Sequence, residues 1–147
     1  MALSLWAVIV NQDILSKLEH IKIPLSNYYG VYHIRGKINN TSIDFILDSG
    51  ASETMISESE ISKVIKFSTN NKNISYLDGD YFNLADGSYV FCERIKLAEM
   101  EIGSHKVENV TIAIMPGNSD ALLGRNVLDK FESWHIDKRK RILTLTK

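Results

Sequence analysis

A mainly β domain is what this sequence predicts, on two observations. From residue 20 onward apolar residues recur in short runs broken by polar turns, with little sustained helical periodicity and only two prolines, Pro24 and Pro116. Asp86-Gly87 stands between the β-prone flanks Tyr81-Phe82-Asn83-Leu84 and Tyr89-Val90-Phe91, a strong short-range hairpin signal. A chain of 147 residues that is 44% hydrophobic has enough apolar material for one soluble globular domain with its own core.

The elements follow in order. Leu3 and Leu5 to Val10 form an apolar stretch too short to span a bilayer and without a basic leader or cleavage site. We read it as a strand or helix packing on the domain or on a partner subunit, in a cytoplasmic protein with no membrane partner. The alternative is a truncated anchor, with a membrane-associated or periplasmic chain. Tyr32 to Ile38 and Ile43 to Leu47, joined across Asn39-Asn40-Thr41, make a hairpin whose second strand runs into Asp48. Ile61 to Phe67 fits a short helix or a strand, and Ser68 to Asn73 is a polar loop.

After the Asp86-Gly87 hairpin, Ile95 to Ile102 and Val107 to Ile114 read as two strands separated by Gly103-Ser104. Val127, Leu128 and Phe131 have the spacing of a one- or two-turn helix packed on the core. Trp134-His135-Ile136 and Ile142 to Leu145 form a terminal hairpin around Lys138-Arg139-Lys140-Arg141. That basic run reads as a solvated turn, and a net charge of −1 supplies no field favouring nucleic acid. Binding of nucleic acid or a membrane surface through Lys138 to Arg141 would instead show affinity that falls steeply with salt.

Several chemistries lack their spacings. His20, His33, His105 and His135 are scattered and Cys92 is the single cysteine, so no metal site and no internal disulfide are expected. Gly50-Ala51-Ser52-Glu53-Thr54 does not make a nucleophilic serine elbow, and no phosphate-binding glycine loop is present. What remains is a carboxylate. Asp48-Ser49-Gly50 follows the apolar run Phe45-Ile46-Leu47 and is answered about 75 residues later by Leu122-Leu123-Gly124-Arg125-Asn126. A carboxylate on a tight turn leaving a buried strand is held by its neighbours, as a catalytic acid must be.

Two carboxylates that share one proton can act together as base and acid on an amide, because like charges about 3 Å apart cannot both ionise. The chain carries one Asp-Ser-Gly triplet, and Asp86-Gly87-Ser88 has the wrong order. The second carboxylate must therefore come from a second copy of the chain on a twofold axis.

In order and spacing these residues resemble the retropepsin-like aspartic proteases, homodimers with one catalytic aspartate per chain. Phe45 to Ser52 with Thr54-Met55-Ile56 is similar to the family's catalytic strand and loop, and Ala121 to Leu128 to the apolar stretch and glycine that open its short helix. The resemblance implies a closed β-barrel acid-protease half over residues 28–147, with one short C-terminal helix and a β-hairpin flap. Residues 1–27 are then an N-terminal extension or dimer-contact segment.

It further implies that Asp48 is the catalytic acid/base and that Ser49 hydrogen-bonds across the dimer axis. Gly50 lets the backbone approach its twin, and Ala51 continues the supporting loop. Arg125 resembles the family's partly buried arginine that braces the active-site region. Leu84, Ala85, Asp86, Gly87 and Ser88 fall at the flap tip over a polypeptide substrate. The Ile142 to Leu145 strand is expected to pair with its symmetry mate, and with Leu3 to Val10, in an interchain sheet, or to be an ordinary edge strand within one chain. No cofactor is needed. The rival reading is a catalytically inactive dimer of the same fold that binds a peptide or protein without cleaving it.

Overall fold

The computed structural model describes residues 17–69 and 71–147, so the apolar stretch from Leu3 to Val10 lies outside the described residues. The first long hairpin is β3 (Val31–Ile38) against β4 (Thr41–Leu47), entered through β1 (His20–Pro24) and β2 (Ser26–Tyr28). Its turn residues Asn39 and Asn40 both have positive φ, 48° and 69°, the conformation that a two-residue turn matching strand twist requires and that asparagine tolerates. Alternation then turns Ile34 and Ile38 on one strand, and Ile43 and Phe45 on the other, into the core.

After β5 (Thr54–Ser57) comes α1 (Glu58–Phe67), a helix where the sequence left helix or strand open. Ser57 caps it by accepting from the Glu60 backbone N–H at 3.2 Å, and Glu58 and Glu60 place acid in the first turn. Ile61 and Val64 form the buried face. The Ser-x-x-Glu spacing from Ser57 to Glu60 is a capping-box signature that would have decided the question.

The chain continues through β6 (Ile74–Asn83), β7 (Tyr89–Ile102), β8 (His105–Met115), β9 (Ala121–Leu123), α2 (Arg125–Leu128), β10 (Ser133–Asp137) and β11 (Ile142–Thr146). The larger sheet has the order β2-β3-β4-β9-β5-β8-β7-β6. An added pairing of β3 with β7, at Gly36↔Ile102 and Lys37↔Glu101, closes the strands from β3 round to β7 on themselves. Phe45, Ile56, Ile95, Leu97, Ile112, Leu123 and Leu128 are among the side chains that fill the interior.

A second, three-stranded sheet has the order β1-β11-β10, and its Ile23, Leu143 and Leu145 pack on the same core. The expected boundary at residue 28 thus falls at the end of β2, and β1 is hydrogen-bonded to β11 from His20↔Thr146 to Pro24↔Ile142. This corrects the reading of Ile142 to Leu145 as a strand free to pair with its symmetry mate or lying at an edge. Both edges of β11 are occupied within the chain, by β1 and β10. The basic run from Lys138 to Arg141 is the exposed turn of the β10–β11 hairpin, with Asp137 accepting from the Lys140 N–H at 2.9 Å. Among the described residues no helix is long and apolar enough to cross a membrane.

Candidate active site

β4 and β5 are consecutive in sequence but not adjacent in the sheet, because β9 lies between them, parallel to β4 and antiparallel to β5. The segment from Asp48 to Glu53 therefore has to cross over the end of β9 to reach β5. Asp48 is the first residue of the crossing. Its N–H still donates to the Leu123 carbonyl at 3.0 Å, which extends the β4–β9 ladder by one bond. Its carbonyl accepts from the Ala51 N–H at 3.2 Å and its Oδ1 from the Gly50 N–H at 2.9 Å. The carboxylate is thus oriented by its own backbone on a half-buried residue, with Ser49 and Gly50 exposed beside it.

The crossing is fixed from below. Gly124, directly after β9, runs so close under the loop that a Cβ there would lie 2.6 Å from the Glu53 carbonyl carbon and oxygen and 2.9 Å from the Ala51 oxygen. The next two N–H groups hold the loop down: Arg125 donates to the Ala51 oxygen at 2.8 Å and Asn126 to the Ser52 oxygen at 3.2 Å. Thr54 is fully buried; its hydroxyl accepts from the Gly124 N–H at 3.1 Å and donates to Asn126 Oδ1 at 2.9 Å. The same Oδ1 takes the Thr54 N–H at 2.8 Å, while Asn126 Nδ2 donates to the Thr111 carbonyl at 2.7 Å. Thr54 and Asn126 are thus the polar centre beneath the loop, a role not assigned from sequence. The signal available was their place just after Asp48-Ser49-Gly50 and Leu122-Leu123-Gly124.

Arg125 corrects an expectation. Its side chain is 61% exposed and its Nη2 sits 3.5 Å from Asp129 Oδ2 one turn along, so within the chain it is not a partly buried brace. The bracing comes from its backbone N–H, because the first turn of α2 aims its free amides at the loop. The charged brace lies elsewhere. Glu53 receives two hydrogen bonds from Arg94 on β7, Nε to Oε2 at 3.1 Å and Nη2 to Oε1, with the two side chains 18% and 26% exposed.

The β6–β7 hairpin carries the five residues expected at a flap tip. Leu84 N–H donates to the Ser88 carbonyl at 2.7 Å and Gly87 N–H to the Leu84 carbonyl at 2.9 Å, so Ala85 and Asp86 are the central turn residues. Gly87 follows at φ +86°, a left-handed position that suits glycine. The hairpin signalled by Asp86-Gly87 is therefore closed by a loop of three residues, Ala85 to Gly87, between Leu84 and Ser88. Asp86 Oδ1 accepts from both the Ser88 hydroxyl, at 2.5 Å, and its N–H, at 2.9 Å. These bonds hold the Asp86 carboxyl below its ordinary value of 3.8.

On one face of this arm Phe82, Val90 and Cys92 join Met55, Ala113, Met115 and Leu122 in an apolar cluster. The other face exposes Tyr81, Tyr89 and Phe91. Burial and the Glu53 charge push the Cys92 thiol above its ordinary value of 9.0, so the thiolate is disfavoured in the folded chain. Alkylation at pH 8 is therefore expected to be slow in native buffer and fast in urea; equal rates would contradict this placement.

Asp48 thus stands at the end of a strand in a crossing loop, locked over a glycine and a helix turn within a closed β architecture. The family model for "gag-polyprotein putative aspartyl protease" matches residues 34–130, more than half of the chain, and the protein belongs to this retropepsin-like aspartic protease family. In solved structures the chain is similar to a retropepsin-like aspartic protease from Rickettsia conorii, with 24% sequence identity and a TM-score of 0.60 over 88% of this chain and 92% of that one. At that identity the likeness concerns the fold. No curated protein matches in sequence.

Proposed function

We infer that the chain is one half of a homodimeric aspartic endopeptidase, in which Asp48 from each of two copies forms a proton-sharing dyad. The observation that carries this is the half-buried Asp48, oriented by the Gly50 N–H on an exposed loop, in a family member with one Asp-Ser-Gly triplet. One carboxylate takes a proton from water as its oxygen attacks the peptide carbonyl carbon, and the other donates its proton to the carbonyl oxygen. Collapse of the adduct breaks the C–N bond as a proton passes to the leaving nitrogen.

Ser49 and Gly50, exposed beside the carboxylate, are the residues that meet their counterparts across the axis. The arm tipped by Leu84 to Ser88 closes over an extended polypeptide, supplying backbone hydrogen bonds and excluding water. No metal or cofactor enters these steps.

The test is incubation with an unstructured polypeptide between about pH 4 and 7, where such a dyad works, with fragments identified by mass. Discrete internal cleavages are expected, together with a dimer in sedimentation at the working concentration. A stable dimer that binds peptide without cleaving it would make the protein a binding module of the same fold.

A further inference from the structure

We propose that Glu53 and Arg94 are positioning residues that couple the hairpin arm to the catalytic loop, so that seating the arm and ordering the Asp48 loop are one event. This rests on Asp48 as the reactive carboxylate. The position of the pair carries the argument. Glu53 is the last residue of the crossing that begins at Asp48, and its carbonyl is wedged over Gly124.

Arg94 stands at the root of the arm. It pairs with Leu77 of β6 on one side and Ala113 of β8 on the other, and toward the hairpin tip β7 pairs with β8 at one further position, Glu93↔Ile114. From Cys92 to Tyr89 the strand pairs with β6 alone. The β6 register slips between Leu77 and Asp80, opposite the same point, which marks a natural bend. The ion pair thus joins the loop to the place where the arm leaves the barrel.

Its geometry suits orientation better than adhesion. A guanidinium fork on a carboxylate fixes angle as well as distance, which a single lysine charge does not. Half-buried ion pairs contribute little net stability, because desolvation offsets the attraction, yet removing one partner leaves the other charge uncompensated. Arg94 is held in its charged form first by the hydrogen bonds to Glu53 and also by the charge of Asp80, across the bend on β6. Coupling of this kind is reciprocal: whatever draws the arm down also tightens the loop.

The experiment uses the full chain with Glu53→Gln, Arg94→Gln and the double variant, followed by native-state hydrogen exchange and by peptide kinetics. Arg94→Gln, made in the arm, is expected to speed exchange at the Gly50 and Ala51 amides of the loop by about tenfold. Glu53→Gln, made in the loop, should speed exchange across Tyr81 to Phe91 to a similar degree. The β10–β11 hairpin is the internal reference and stays unchanged.

In kinetics each single variant loses about tenfold in kcat/KM and the double loses no more, as for two groups acting as one unit. Exchange that rises only on the mutated side, or equally in the β10–β11 hairpin, would overturn the coupling, as would losses that multiply in the double variant. Reciprocal exchange in a protein with no peptidase activity would retain the coupling and remove the protease reading. Peptidase activity indifferent to both substitutions would do the reverse.

Discussion

Asp48→Asn is expected to abolish peptide hydrolysis, with a loss of about a thousandfold or more, while the protein keeps its fold and thermal midpoint. Asparagine has the same shape, and its amide oxygen can still accept the Gly50 N–H that the Asp48 Oδ1 accepts at 2.9 Å. The backbone bonds of the residue, from its N–H to Leu123 and to its carbonyl from Ala51, do not involve the side chain. What disappears is the ability to take and return a proton. Cleavage at the wild-type rate in purified Asp48→Asn protein, with contaminating proteases inhibited, would remove the mechanism.

Gly124→Ala is expected to cost about 1–3 kcal/mol of stability and to lower activity beyond what the unfolded fraction explains. Backbone strain is not the reason, since Gly124 has φ −95° and ψ −179°, open to any residue. Space is the reason. The new methyl would stand 2.6 Å from the Glu53 carbonyl atoms and 2.9 Å from the Ala51 oxygen, and backbone atoms cannot swing aside as a side chain can.

Relief requires the loop to rise from β9, which stretches the bonds from the Arg125 and Asn126 N–H groups to Ala51 and Ser52. Asp48 begins that same loop, and a displacement of about 1 Å at a reacting group can cost on the order of a hundredfold in rate. Urea denaturation and kcat measured on the same preparation separate the two effects. Wild-type stability with wild-type kcat would show that the close approach is not needed.

The parts of the fold readable from sequence are those whose cause is local. Asn39-Asn40 and Gly103-Ser104 mark their turns because left-handed or tight backbone selects those residues, and alternation runs on from each turn until Ala98-Glu99 and Glu108-Asn109 interrupt it in β7 and β8. Asp48 stands out because an apolar strand leads into it and a matching apolar stretch ends at Gly124. The insertion of β9 between β4 and β5 and the central place of β11 depend on pairing between distant segments, to which alternation within one strand is blind. The same holds for the polar contacts under the loop: Thr54 and Asn126 are 72 residues apart, and Glu53 and Arg94 are 41.

Arg125 shows the opposite difficulty. A sequence neighbour of the glycine turn is brought to the site through its N–H, while the side chain that drew attention points to Asp129 and solvent. For α1 the information was present in Ser57 and Glu60, but a short apolar run fits either a helix or a strand until the cap is read.

The central claim is that each active centre is built from two chains, and mixing tests it most directly. Wild-type protein is equilibrated with an equal amount of Asp48→Asn protein at constant total chain concentration, and the rate of peptide cleavage is measured. Random reassortment leaves about one quarter of the dimers with two intact carboxylates, so activity should fall to about one quarter of the all-wild-type rate. A fall to one half, in proportion to the number of intact chains, would show that a single Asp48 suffices and would contradict the account.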